Sequence, residues 1–402
     1  PPPPPTYLYP KGMITFKTYD DYGLIPYSAP VRFTRIVARR FFKIDKTFTD
    51  ANGNFQLTKR FPKKVTIVVK FRTSSVSIKK WPIILGVYGH FAIRKNIGTY
   101  KGNDLRNLNY EFQKGSTSKK IKTRNWIASV ALNTATETQS FLSSNNLIQL
   151  PDKFRIYLSE IWDQTETAQY EFIRSSGFDL DRGSVILKWV TSDVNSITTS
   201  KVTINVAQQL GLHYLFQVNE ASNDGYNMYN GYINSINYID NQINNNHWPQ
   251  DYHPFGDGVP RPSQNYYPDI IAMWQSFAQH LGHTIANRVF GWGEYNFVLQ
   301  GKTWFSGGGI SSSAKYLESF DPTIGQPSDY FNWIPIGLIN DLMDNIPDPF
   351  PIVDNVSGFT YSEIQSVYYL EPDLMSSFKI ALKNIKPSQA TAIDQLFASY
   401  GY

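Results

Sequence analysis

The stretch TFTDANGNF, residues 47–55, places an Asn-Gly turn between two runs in which apolar and polar residues alternate. Such a turn between alternating runs is a strong signal for a β-hairpin. The same alternation occurs in residues 14–19 and 31–37, and a further apolar run covers residues 64–71. These four or more short strands predict an antiparallel β-sandwich over residues 11–76.

Helical spacing replaces the alternation further along the chain. Small and apolar side chains recur at helical intervals in residues 126–141, and a second helix is predicted over residues 200–218. Its N-cap candidates are Thr198, Thr199 and Ser200. A third helix is predicted from Pro268, because proline at the first helical position, followed by an acidic residue, is typical of a helix start.

Two buried strands and a helical tail complete the predicted elements. The strands lie at residues 154–158 and 184–190, and residues 361–397 read as short helices ended at Pro372 and Pro387. The predicted fold class is therefore multidomain, with the antiparallel sandwich followed by an α+β, mainly helical region.

Composition and length fit this organisation. With 402 residues, 41% of them hydrophobic and 18% charged, the chain can bury a large core, which excludes a mainly disordered or fibrous protein. No stretch approaches the roughly 18 to 20 consecutive apolar residues of a membrane-spanning helix. The predicted boundaries are a Pro-rich tether at 1–10, the sandwich at 11–76 and the larger region at 77–402.

Charge is divided unevenly along the chain. Residues 1–125 contain 25 Lys and Arg against 6 Asp and Glu, whereas the remainder carries a net charge of −14. Two solvated surfaces that attract each other would produce this division. The functional alternative is a basic face that contacts an anionic membrane, a polysaccharide or an acidic protein. No basic run carries interleaved aromatics in a nucleic-acid-binding pattern, so we expect no nucleic-acid partner.

The chain opens on five prolines rather than on methionine. This start is typical of a mature exported protein followed by a stiff spacer, although an arbitrary chain boundary would look the same. A lipid-carrying cysteine just before Pro1 would fit, as would a cleaved secretion signal. We expect a cell-surface or outer-membrane location, with a secreted or periplasmic protein as the alternative.

Recognisable catalytic motifs are absent from the sequence. With no cysteine, the chain has no thiolate metal site and no cysteine nucleophile. It also lacks a Gly-x-Ser-x-Gly elbow and a P-loop lysine motif. None of its six histidines belongs to an HExxH zinc motif, and His280 and His283, three residues apart on one helix, have no neighbouring carboxylate base. Hydrogen-bonded structural histidines are the favoured interpretation of that pair.

Residues 11–76 resemble the carboxypeptidase regulatory-like, or transthyretin-like, domain. The resemblance is carried by GMI at residues 12–14, PVR at 30–32 and TDANGNF at 49–55. Such domains act as structural or docking modules in exported bacterial proteins, and this resemblance implies the same role for the sandwich.

The remaining region resembles a family of gluzincin-type zinc metallopeptidases on the surface of Gram-negative bacteria, many of them lipoproteins. In that family one helix carries HELGH, and a later helix carries a glutamate ligand in a phrase like WxESWA. The corresponding phrases in this chain are QQLGLHYL at residues 208–215 and MWQSFA at 273–278. Further likeness lies in FGDG at 255–258 and in the segments 334–344 and 354–360.

At the positions where this family carries its metal ligands and general base, the present chain has residues of other types. Gln208 and Leu212 stand at the two histidine positions, Gln209 at the general-base position and Gln275 at the glutamate position. A further histidine position is occupied by Leu215. Neutral amides and leucines cannot replace imidazoles and a carboxylate around Zn²⁺, and Gln209 cannot accept a proton from water. The resemblance thus implies vestigial metal-site positions, with no catalytic residue, no metal and no cofactor.

The predicted function is a pseudoenzyme: a non-catalytic, metallopeptidase-like binding or scaffolding subunit of a surface complex. Its expected contact surface includes the Tyr- and Asn-rich stretch at residues 222–246. One alternative is an active metal-dependent hydrolase with a rearranged site, built from His247, His253, His280 and His283 with Asp251 or Asp257. Another is a glycan-binding surface module.

Overall fold

The computed structural model describes residues 9–19, 27–80, 91–161, 184–190, 197–220, 268–290, 335, 337–345, 352–370 and 372–402. The chain divides into two compact units. Unit 1 comprises Pro1–Glu137, Leu150–Asp163 and Tyr170–Val206, and unit 2 comprises Thr138–Gln149, Gln164–Gln169 and Ala207–Tyr402.

The strands of the described residues lie in unit 1. They are β1 (Lys11–Lys17), β2 (Ser28–Pro30), β3 (Arg35–Arg40), β4 (Lys43–Phe48), β5 (Asn54–Gln56), β6 (Val65–Lys70), β7 (Val76–Lys80), β8 (Phe91–Ala92), β9 (Arg94–Tyr100), β10 (Tyr110–Phe112), β11 (Phe154–Ile161) and β12 (Ser184–Val190).

These strands form three sheets. In the first, β1 pairs in parallel with β10 and antiparallel with both β2 and β5. The second has the order β4-β3-β6-β9 and is antiparallel throughout. The third has the order β12-β11-β7-β8, in which β11 is parallel to both of its neighbours. The strands β9 and β10, which complete the first two sheets, lie beyond the predicted boundary at residue 76.

The turn at residues 50–53 is present, but the predicted hairpin pairing is wrong. Asp50 Oδ1 accepts the backbone N–H of Asn52 and of Asn54, and Gly53 has a φ of 77°, a conformation that favours glycine. However, β4 pairs with β3, and β5 pairs with β1. The turn therefore carries the chain from one sheet to another, and each strand pairs with a partner other than its neighbour across the turn.

The alternation predicted over residues 31–37 is also interrupted. Arg32 and Phe33 form a turn in which Phe33 has a φ of 50°, so the regular strand begins only at Arg35. Thr49 fixes this turn, since its hydroxyl donates to the carbonyl of Val31 and accepts the N–H of Thr34. Hydrogen bonds to a residue distant in the sequence thus override the alternating pattern.

The predicted helices and the later strands are confirmed. The helices are α1 (Lys120–Ser144), α2 (Thr199–Glu220), α3 (Pro268–Phe290), α4 (Leu338–Met343), α5 (Tyr361–Tyr369), α6 (Met375–Ile385) and α7 (Ala390–Ser399). The strand predicted at residues 154–158 lies within β11, and that at 184–190 coincides with β12. Among the described helices, none has the length and hydropathy that crossing a membrane requires. The fold is a mixed α+β one, with N-terminal β-sheets followed by a mainly helical region.

Within unit 1, α1 is held against the first sheet by two buried side chains. Trp126 Nε1 donates to the carbonyl of Lys17 at 2.7 Å. About two turns further on, Asn133 Oδ1 accepts the N–H of Arg32 at 2.9 Å, and Asn133 Nδ2 donates to the carbonyl of Pro30 at 2.7 Å. These bonds satisfy backbone groups at strand ends, where sheet pairing stops.

Candidate functional site

The candidate site lies where α2 and α3 meet within unit 2. They come close together at Gly211, where an added Cβ would lie 3.1 Å from Leu281 Cδ2 and 3.3 Å from Ala278 Cα. A side chain at position 211 would therefore require these atoms of α3 to shift by a few tenths of an ångström. Glycine here allows the backbones of the two helices to come together.

A buried amide pair lies beside this contact. Gln208 Nε2 donates to Gln279 Oε1 at 2.5 Å, and both side chains are almost completely buried. Further along α2, the Tyr214 ring stacks on Phe277 at 5.3 Å between ring centroids.

The four vestigial positions all lie on these two helices, and all four side chains are buried. The hydrogen-bond partner of Gln208 is nevertheless Gln279 and not Gln275. Sequence reasoning missed Gln279, although its position four residues after Gln275 puts both on one helix face.

Gln209, at the general-base position, is also buried. Its side-chain carbonyl oxygen has no hydrogen-bond partner among the described residues. An amide stays neutral across the physiological pH range, so this group can accept a hydrogen bond but cannot take a proton from water.

The histidines of α2 and α3 are neutral at physiological pH. His280 Nε2 lies 2.8 Å from the hydroxyl oxygen of Tyr361 on α5. Burial lowers the pKa of His280 to about 4, and it lowers the pKa of both His213 and His283 to about 3. In the part of the chain that the structure describes, no three His, Asp or Glu residues are grouped as a metal would require. The remaining residues of the hydrolase alternative, His247, His253, Asp251 and Asp257, lie outside the described residues, as do segments 222–246 and 255–258.

The C-terminal helices are tied to this region by tyrosine hydroxyl groups. Tyr368 donates to the carbonyl of Met273 at 2.8 Å, Tyr400 to Asp341 Oδ2 at 2.6 Å, and Tyr214 to Gln365 Oε1 at 2.5 Å. At the start of α3, Asp269 Oδ2 accepts the N–H of Met375 at 2.9 Å. The carboxylates of Asp269 and Asp341 therefore accept hydrogen bonds that connect different elements of the fold.

The adjacent glutamines on α2 allow a matched prediction. We expect Gln208→Met to lower the free energy of unfolding by about 1–3 kcal/mol, because the buried Gln279 carbonyl would lose its donor. We expect Gln209→Met to raise it by about 1 kcal/mol, because a buried carbonyl without a partner among the described residues is replaced by a thioether of similar size. Urea unfolding followed by circular dichroism at pH 7.5 would measure both.

Each variant is the control for the other, because the residue type, the helix and the substitution are the same. Similar losses in both variants would contradict the prediction and would show that Gln209 is hydrogen-bonded in the folded protein. A Gln208→Met/Gln279→Met double variant should recover most of the loss, since both buried polar groups are then removed together.

Comparison of the chain with models of known protein families finds no match, and comparison with curated proteins finds no similar sequence. The resemblance to surface metallopeptidases stays a prediction from the sequence.

Proposed function

We propose that this protein is a non-catalytic, metallopeptidase-like binding or scaffolding subunit that works outside the cell, in a complex at a bacterial outer membrane. The observation that carries the proposal is the buried amide pair of Gln208 and Gln279 on adjoining helices. In the family that the sequence resembles, ionisable ligands occupy the corresponding part of the first helix.

The chemistry of the site supports a role without catalysis. A zinc peptidase needs imidazole or carboxylate ligands and a base that activates the bound water. The four vestigial positions supply three amides and one alkyl group, all buried. The hydrogen bond from Gln208 to Gln279 gives the side chain at the first histidine position a protein partner.

The packing of unit 2 supports a retained scaffold. The close approach at Gly211 and the stacking of Tyr214 on Phe277 hold α2 and α3 against each other through side-chain packing. A fold that is stabilised by such packing can lose its metal ligands and still present loops to a partner protein.

Metal analysis and a peptidase assay test this proposal directly. The full chain, purified without chelators and then supplied with zinc and dialysed, should retain far less than one equivalent. It should also show no chelator-sensitive peptidase activity on a mixed peptide library. About one equivalent of retained zinc together with chelator-sensitive hydrolysis would overturn the proposal.

A four-residue variant serves as the matched positive control. Gln208→His, Gln209→Glu, Leu212→His and Gln275→Glu together restore the family's ligands and base on the same two helices. We expect this variant to retain about one equivalent of zinc. Purification of the natural protein from its native membrane, with identification of the proteins that accompany it, tests the scaffolding role.

A further inference from the structure

The hairpin of β3 and β4 ends in two exposed phenylalanines. Arg40 pairs with Lys43, so only Phe41 and Phe42 form the loop. Phe41 is 88% exposed and Phe42 is fully exposed. We define these two residues as the hairpin tip.

This tip is unfavourable in the isolated protein. Two-residue hairpin loops favour Asn-Gly, because a positive φ is needed there and a bulky side chain resists it. Phe41 nevertheless has a φ of 46°. The Arg40 guanidinium lies 5.7 Å from the centroid of the Phe41 ring, an exposed cation–π contact worth about 0.5–1 kcal/mol. Apart from that contact, the two rings bury almost no apolar surface that would offset the strain.

Cationic side chains surround the tip. Arg39, Arg40 and Lys43 flank it directly in the sequence. The strand β6 begins at the same end of the sheet, since Thr66 pairs with Arg39, and the exposed Lys63 and Lys64 precede it. Lys101 follows β9, whose last residue pairs with the first of β6.

A second basic segment is fixed beside the hairpin. Lys43 Nζ donates to the carbonyl of Arg60 at 2.7 Å, and Lys59 Nζ donates to the carbonyl of Ile44 at 2.8 Å. The carboxylate of the hairpin itself, Asp45, is buried and accepts the N–H groups of Thr58 and Lys59. Asp104, an exposed acidic residue, lies three residues beyond Lys101. The basic residues at this end of the sheet outnumber it, so the net charge around the tip is positive.

We propose that the hairpin tip inserts into the headgroup region of an anionic lipid membrane, with the surrounding Lys and Arg side chains on lipid phosphates. A membrane fits because the apolar surface is a convex point rather than a groove or a flat face. A point of this shape buries its rings only in a phase that it can penetrate. Aromatic rings are favoured at the membrane interface, and each basic residue near an anionic surface adds to the attraction.

This inference deepens the surface location in the proposed function, but it does not depend on the state of the metal-site positions. A chain that binds zinc and hydrolyses peptides would fail the proposed function and could still dock through the tip. If the natural protein bound neither lipid vesicles nor zinc, only the membrane inference would be overturned, and the proposed function would stand.

Sedimentation with lipid vesicles tests the proposal on the full chain. Binding is expected to phosphatidylcholine vesicles that contain phosphatidylglycerol, and much weaker binding to pure phosphatidylcholine. Phe41→Ser/Phe42→Ser should weaken it by about tenfold for each phenylalanine removed. Lys63→Glu/Lys64→Glu should weaken it by about fivefold or more for each charge, with a smaller effect at raised salt.

The matched control is Leu370→Ser/Ile380→Ser, which removes two exposed apolar side chains in unit 2 and should leave binding unchanged. Because the chain has no cysteine, Phe42→Cys can carry a single environment-sensitive dye. Its emission should shift to the blue with anionic vesicles, whereas a dye at Leu370→Cys should not respond. Undiminished vesicle binding by the serine variant, equal binding to both vesicle types, or binding to an anionic polysaccharide or an acidic protein alone would overturn the proposal.

Discussion

Unit 2 is expected to unfold at mildly acidic pH, well before its exposed carboxylates are protonated. The buried histidines His213, His280 and His283 carry pKa values lowered by burial to about 3, about 4 and about 3. In the unfolded chain the same imidazoles titrate near a pKa of about 6.5. Between these values, the unfolded chain binds protons that the folded chain does not.

Stability therefore falls as the pH is lowered below about 6.5, and this loss ends only below the folded pKa values. Each histidine removes about 1.4 kcal/mol per pH unit in that window. Burial raises the pKa of Asp354 to about 6, so this carboxyl offsets one histidine below that pH, and the net loss is about 3 kcal/mol per unit. A whole domain is stabilised by only about 5–15 kcal/mol. Urea unfolding followed by helical circular dichroism, repeated from pH 8 to pH 4.5, would measure the decline.

A His283→Gln variant isolates one imidazole. Its unfolding free energy should decline less steeply with falling pH, by about 1.4 kcal/mol per unit. At pH 8 both side chains are neutral, so the difference measured there reports packing alone and serves as the internal control. An unchanged slope between pH 6.5 and pH 5 would mean that His283 is already accessible to protons in the folded protein.

Much of the fold could be predicted from periodicity and capping signals. The start of α3 at Pro268 follows from its first two residues, and the apolar run at residues 184–190 coincides with β12. These signals are local, because a residue's own neighbours decide whether it favours a helix, a strand or a turn.

Strand pairing could not be predicted in the same way. The turn at residues 50–53 formed as the sequence indicated, but β5 pairs with β1 rather than with β4. Partner choice depends on which edges the rest of the chain leaves open, and a single alternating stretch contains no information about that. The interruption at Phe33 likewise depends on Thr49, sixteen residues further along the chain.

The candidate site was predicted by position but not by its contacts. Sequence reasoning placed Gln208 and Gln275 on two helices, and both helices are present. It did not indicate that Gln208 is hydrogen-bonded to Gln279, because the register between two packed helices depends on side-chain fit along both. The exposed Phe41 and Phe42 were missed for a similar reason, since an apolar pair is expected inside unless the loop geometry is known.

Replacing Trp126 by alanine should cause the largest loss of stability in unit 1. The ring is completely buried, and it lies edge-on to Tyr19 with 5.5 Å between ring centroids. Removing a buried tryptophan ring costs about 3–5 kcal/mol, and the Lys17 carbonyl would also lose its donor, at about 1–3 kcal/mol more. Hydrogen exchange of the β1 amides, with urea unfolding of the whole chain, would measure the effect.

Two further variants separate the ring from its hydrogen bond. Trp126→Phe keeps most of the buried ring and loses the N–H donor, so it should cost about 1–3 kcal/mol. Ile121→Ala alters an exposed residue of the same helix and should change stability by no more than about 0.5 kcal/mol. If phenylalanine cost as much as alanine, the stabilisation would come from the bond to Lys17 and not from the buried ring. The docking of α1 on the first sheet would then depend mainly on polar contacts, those of Trp126 and Asn133.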